Sequence, residues 1–337
     1  MKESYLYKKI SNNQVECQTC SHYCKLAPGR RGICGVRENI NGKLYALNYD
    51  KVATYHVDPI EKKPLFHFLP GTQTFSLATV GCNFRCDNCQ NWDISQGPKM
   101  FREILGEKMS PKELVDLAKK SNCESISYTY TEPTIFLELA LDTMKIAKEK
   151  GLKNVWVSNG FMSKKTFELA SPYIDAINID LKFFDDKLYR KITGGRLDPV
   201  LDNLKRFKKA GILLEVTTLA IPTLSDSPEI FIKIADFIFQ ELGADTPWHI
   251  SAFSGKISWK LKHLPPTPIE VVKQGYKIGK EAGLKYVYTG NIFGDSGENT
   301  YCPKCNAIVI ERCGYTIKRL DKDNKCPKCN EKIDMIF

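Results

Sequence analysis

Thirteen cysteines constrain this 337-residue chain more than any other feature. Twelve fall into groups: Cys17, Cys20, Cys24 and Cys34; Cys82, Cys86 and Cys89; Cys302, Cys305, Cys313, Cys326 and Cys329. Cys123 stands alone and reads as a small buried hydrophobe. The first residues, Met1-Lys-Glu-Ser-Tyr-Leu-Tyr-Lys-Lys, lack the apolar core of a signal peptide, and no stretch is apolar enough to span a membrane. The expectation is a cytosolic chain. In a reducing compartment, thiols grouped this closely read as metal ligands rather than disulfides.

The middle group lies in Val80-Gly-Cys82-Asn-Phe-Arg-Cys86-Asp-Asn-Cys89-Gln-Asn-Trp92, with the spacing C-x3-C-x2-C. The preceding Thr74-Phe-Ser-Leu-Ala-Thr-Val80 is apolar and β-branched, so it reads as a buried strand. The cysteines therefore sit on a loop that leaves a strand end. Each iron of a [4Fe–4S] cube normally takes one thiolate, so three cysteines hold three irons and leave the fourth open to another ligand.

From 74 to about 290, strand and helix patterns alternate. Strands are expected at 125–130, 154–158, 176–180, 213–219, 248–253 and 286–289, and helices at 111–122, 134–150, 163–170, 185–192, 199–210, 228–242 and 268–282. Ser110 and Pro111 start the first of these helices, while Gly151 and Gly211 stop two others. Helical crossovers between short apolar strands imply a parallel sheet, here a partial or full (β/α) barrel. Chemistry in such a barrel gathers at the C-terminal strand ends. Polar residues do cluster there: Tyr130-Thr-Glu132-Pro, Ser158-Asn159-Gly, Asp180-Leu-Lys182, Thr217-Thr218, and His249 with Ser251.

The flanks differ in character. Residues 1–44 read as polar and loop-rich, and their C-x2-C-x3-C-x9-C group suits either zinc or an auxiliary iron–sulfur cluster. Residues 45–73 read as a proline-broken connecting arm that leads into the cluster strand and could cover the mouth of the site. Within it, His67 lies between Phe66 and Phe68 and reads as packed aromatic lining. Beyond 290, Cys302-Pro-Lys-Cys305 and Cys326-Pro-Lys-Cys329 match zinc-ribbon knuckles, with ribbon strands expected at 307–312 and 315–320 and Cys313 left over. The expected division is 1–73, 74–290 and 291–337. The charge, 49 basic residues against 39 acidic, is spread along the chain. No basic run is interleaved with aromatics, so a solvated surface is favoured over a nucleic-acid interface.

The C-x3-C-x2-C loop after a first barrel strand resembles the radical S-adenosylmethionine (SAM) superfamily. The segments Asp58-Pro-Ile-Glu-Lys-Lys-Pro-Leu-Phe-His-Phe-Leu-Pro-Gly71 and Gly81–Gln96, with the two flanking cysteine groups, resemble the radical SAM enzymes of the AmmeMemoRadiSam system, which are related to pyruvate formate-lyase activases. The resemblance implies that Cys82, Cys86 and Cys89 ligate a [4Fe–4S] cluster whose open iron takes the amino and carboxylate groups of SAM. It further implies that Glu132, Asn159, Asp180, Lys182 and His249 bind that cofactor or the substrate. The implied reaction is reductive cleavage of SAM to a 5′-deoxyadenosyl radical, which abstracts hydrogen from a substrate. The electron donor would be a ferredoxin or flavodoxin. Asn88 stands where an aromatic residue is usual, Tyr130-Thr131 replaces a glycine pair, and Ala252-Phe-Ser-Gly255 replaces the activases' Arg-Phe-His-Pro. Two other readings are a glycyl-radical activase acting on a protein and a non-enzymatic module that binds metal and nucleic acid.

Overall fold

The computed structural model describes residues 1–336. Its centre is one sheet whose strands follow chain order: β1 (Thr54–Pro59), β2 (Gln73–Ala78), β3 (Ser125–Tyr128), β4 (Lys153–Ser158), β5 (Ala176–Asp180), β6 (Leu213–Ala220), β7 (Trp248–Ala252) and β8 (Val287–Gly290). From β2 to β8 every neighbouring pair is parallel. The edge strands β1 and β8 do not pair with each other, so the barrel is partial.

Helices α1 (Trp92–Met100), α2 (Pro111–Lys120), α3 (Leu137–Glu149), α4 (Lys164–Ala170), α5 (Asp186–Thr193), α6 (Leu197–Lys209), α7 (Pro228–Phe237) and α8 (Ile269–Glu281) make the crossovers. Local chemistry sets their ends. Ser110 and Glu113 form a reciprocal capping box on α2, and Asp185 caps α5 by accepting from Leu188 N–H. The outward faces of the strands and the inward faces of the helices make one continuous core, including Trp156, Phe161, Phe207 and Trp248.

The structure departs from the sequence reading in three places. Helix α1 follows directly on the cluster loop, where Gly97 and Pro98 hide the helical pattern. The first forty-odd residues hold short strands in two three-stranded sheets rather than loops alone. The arm does not cover the mouth. Part of it is β1, antiparallel to β2, and Ile60, Leu65 and Phe68 pack against Val155, Ala176 and Leu213 near the starts of β4, β5 and β6. The arm thus closes the floor of the barrel, at the opposite end from the cysteine loop. Among the described residues no helix is long and apolar enough to cross a membrane.

Candidate functional site

The cysteine loop joins β2 to α1 and is tied down from four directions. Gly81 N–H donates to Ile94 O (2.9 Å), Arg85 N–H to Thr193 O (2.8 Å) and Asp87 N–H to Ile192 O (3.1 Å). Trp259 N–H donates to Cys89 O (3.0 Å) and Lys260 N–H to Asp87 O (2.8 Å). Trp92 and Trp259 stack with ring planes 6° apart. From the N-terminal region, His22 Nε2 donates to Asn83 O (2.9 Å). Close approach of α5 needs Gly195, because a Cβ there would lie 2.3 Å from the Phe84 ring.

The three thiols are largely buried and unpaired by disulfides. Burial raises the Cys82 pKa and pushes Cys86 up to about 12, so with no metal both are neutral thiols. Two ammonium groups lie within electrostatic reach. Lys99 donates to Phe84 O (2.6 Å) and Gln96 Oε1 (2.8 Å); burial lowers its pKa, while Cys82, Cys34, Cys86 and Cys89 pull the other way. Lys182 pairs with Asp180 at 2.8 Å. Burial works against its charge, but Asp180 and Cys86 more than offset that and hold its pKa above the ordinary value.

Glu132 knits the ends of β3 and β4 to this loop. Its carboxylate accepts from Thr134 N–H (3.1 Å), Thr134 Oγ1 (2.5 Å), Ser158 Oγ (2.9 Å) and Asn159 N–H (2.8 Å). Burial raises its pKa against these donors. Asn159 Nδ2 then donates to Asn83 Oδ1 (2.8 Å), beside Cys82. Asn83 Nδ2, Asn88 Oδ1 and, on β6, Thr217 Oγ1 are buried without a protein partner. Unsatisfied buried polar atoms of this kind suit a site that is completed by a polar cofactor or substrate.

The structure therefore brings Glu132, Asn159, Asp180 and Lys182 to the cysteine loop. It places His249 elsewhere. That ring bonds Glu215 Oε2 at 2.6 Å, stacks on Tyr288 and meets Phe66 edge-on. His67 is buried lining, as expected, with Nδ1 on Asp334 O (2.6 Å) and Nε2 on the Tyr288 hydroxyl (2.7 Å). The sequence reading passed over Lys99, Asn83 and the 258–260 segment. The only available signal was that Lys99 and Asn83 lie close in sequence to the cysteines.

At the C-terminus, Cys302, Cys305, Cys326 and Cys329 bring their sulfurs within 4.8 Å of one another and could hold a metal ion. Cys302–Cys329 and Cys305–Cys326 are each 3.5 Å apart, near the ~3.8 Å that four Zn–S bonds of about 2.3 Å in a tetrahedron would give. Strands Thr300–Tyr301, Ile308–Cys313 and Thr316–Arg319 frame them. Cys313 is exposed and outside the group. Arg312 joins this module to the barrel floor, donating to Phe66 O (2.9 Å) with its guanidinium 4.2 Å from the Phe66 ring centroid.

A family model described as the radical SAM superfamily matches residues 76–238. An uncharacterized protein of Methanocaldococcus jannaschii is 47% identical over the full length of both chains. The pyruvate formate-lyase-activating enzyme of Clostridium pasteurianum is 27% identical over 50% of this chain and 70% of its own. Among solved structures, Streptococcus suis SuiB bound to its precursor peptide shares the fold, with a TM-score of 0.50 and 19% identity over 69% of this chain and 51% of that one. The chain belongs to the radical SAM superfamily. The superfamily implies a [4Fe–4S] cluster and SAM. The donors at the cysteine loop fit that pair: three separated thiols, two nearby cations and buried polar atoms left unpaired.

Proposed function

We propose that the chain is an enzyme that removes a hydrogen atom from a substrate at the barrel mouth, with Cys82, Cys86 and Cys89 as the ligands of its [4Fe–4S] cluster. The observation that carries this reading is the meeting of three closely spaced thiols, Cys86 buried among them, with Glu132, Asn159, Asp180 and Lys182 from three other strand ends. Bound together, the cluster and SAM supply one-electron reductive cleavage of a sulfur–carbon bond and, through it, hydrogen abstraction.

The chain's own residues orient and insulate. Lys99 and Lys182 offset the negative charge that three thiolates bring to a buried loop. Glu132 offers its carboxylate to the SAM ammonium group while Ser158 and Thr134 hold it in place. Lys182 can exchange Asp180 for a carboxylate of SAM or substrate, and the unpaired Thr217 hydroxyl offers a contact within the barrel. The aromatic floor keeps water from that end. The reductant is a low-potential carrier of the ferredoxin or flavodoxin class. We also propose zinc at Cys302, Cys305, Cys326 and Cys329, and functional boundaries near residues 73 and 290.

Anaerobic reconstitution with iron and sulfide, followed by dithionite and SAM, tests the main reading. Wild type should release 5′-deoxyadenosine and methionine, and Cys86→Ala should fall to background. Equal turnover by the two would end it. A second reading, activation of a protein glycine, is favoured by the Asp180-Leu-Lys182 match to the activases and by relatives that bear that name. A glycyl radical signal on a candidate partner would support it.

A further inference from the structure

The N-terminal cysteines differ from the C-terminal ones in how far apart they are held. Cys17, Cys20, Cys24 and Cys34 line one pocket together with Thr19, Arg37 and others. Among the described residues, the ribbon quartet is the set of potential ligands whose donor atoms all close to within 4.8 Å. The N-terminal thiols line the wall of a shared pocket without closing to that separation. A single tetrahedral ion needs converged sulfurs. A [4Fe–4S] cube puts an iron between each thiolate and the centre, and so holds its thiolates farther apart.

The pocket shares a wall with the barrel site. A Cβ built on Gly81, the residue before Cys82, would lie 3.0 Å from Cys34 O and 2.6 Å from Val36. His22, which lines the pocket, donates to Asn83 O on the other side of Cys82. A Cβ on Gly35, the residue after Cys34, would lie 3.2 Å from the backbone nitrogen of Lys99 on α1. Next to Cys24 and Cys34 in sequence, Tyr23 and Ile33 are 44% and 51% exposed. Lys25 and Arg30 are exposed beside them in sequence.

We propose that Cys17, Cys20, Cys24 and Cys34 hold a second [4Fe–4S] cluster, and that it passes electrons singly from an acidic carrier protein to the barrel site. This relay role rests on the radical SAM reading above. With all four irons capped by thiolate, this cluster has no open position for SAM or substrate, which leaves electron carriage as its chemistry. In each cycle the carrier is oxidised by one electron, the N-terminal cluster is reduced and then reoxidised, and the barrel site gains the electron. The exposed basic and apolar residues beside Cys24 and Cys34 suit an acidic docking partner.

The test is the metal and sulfide content, with Mössbauer and EPR spectra, of anaerobically reconstituted full-length protein. The Cys82→Ala/Cys86→Ala/Cys89→Ala variant leaves the N-terminal site intact, and it should retain about four irons and four sulfides per chain. Wild type should hold about twice that. A variant with no sulfide and a second equivalent of zinc overturns the proposal but leaves the radical SAM reading standing. For the relay, Cys20→Ser/Cys24→Ser should abolish SAM cleavage driven by reduced flavodoxin yet keep at least half of the dithionite-driven rate. Equal loss with both reductants, or unchanged flavodoxin-driven turnover, overturns the relay. Circular dichroism of this variant checks that the fold is retained.

Discussion

The two four-cysteine groups sit at opposite ends of the barrel and use the same ligands in different ways. The C-terminal quartet brings its sulfurs together in pairs 3.5 Å apart on a small ribbon. The N-terminal quartet lines a pocket beside the Cys82–Cys89 loop. The difference follows from the backbone. Two C-x2-C turns, each folded back on itself, aim their thiols at one point. In the other group, Cys17 ends one short strand, Cys20 bridges to Met162, and Cys34 lies beyond a glycine-bearing turn. Ligand count alone therefore does not identify the group that is held. On the proposal above, the separation set by the surrounding chain does.

The largest effect that would sharpen this contrast is loss of metal at the ribbon. Cys305→Ser with Cys326→Ser should remove one equivalent of zinc and uncouple the ribbon from the floor, since metal binding supplies on the order of 10 kcal/mol to small zinc modules. Iron and sulfide content should not change; zinc analysis and thermal melting would show it. Next is the anchor of the N-terminal region. Arg37 and Glu138 form a buried bidentate pair at 2.7 and 3.0 Å. Glu138→Gln should cost about 3–5 kcal/mol by leaving a buried guanidinium uncompensated, measured by chemical denaturation. A smaller cost, about 1–3 kcal/mol, is expected for Gly81→Ala, which drives a Cβ into Val36 from a left-handed φ of +102°. Val36→Ala in the same chain should recover part of it and separate the steric share from the backbone share.

The smallest effect belongs to the floor. Burial holds His67 below its ordinary pKa, and its two ring nitrogens are already engaged as the neutral form. Below about pH 6.5 the unfolded chain takes up a proton that the folded chain resists, so stability falls with acid. The melting temperature should drop between pH 7 and 5, and His67→Gln should flatten that slope. An unchanged slope would remove His67 from the account.

The repeating parallel strands were legible because β-branched runs and capped helices alternate strongly. Ser110, Gly151 and Gly211 mark helix ends where the structure has them. The three-thiol loop and the ribbon were legible from spacing. Less visible was anything that depended on distant contacts. Helix α1 is obscured by Pro98, and β1 by the prolines around it. Lys99 looks like any surface lysine until Phe84 and Gln96 enclose it. His249 has a strand-end position in the sequence, yet Glu215 and Phe66 draw its ring into the floor network. Pattern reports which residues share a strand face, but not which neighbour will satisfy a buried ring.

The stitching of Asp87 and Cys89 to Trp259 and Lys260 bears on how the protein is made. More than 160 residues separate the partners in the chain. On a ribosome, the cysteine loop has no access to these bonds until the seventh strand and the turn beyond it have emerged. Folding of the earlier units can proceed first, but the cysteine loop is finished among the last. A maturation factor delivering iron and sulfide would meet its receptive form late in synthesis, or after release.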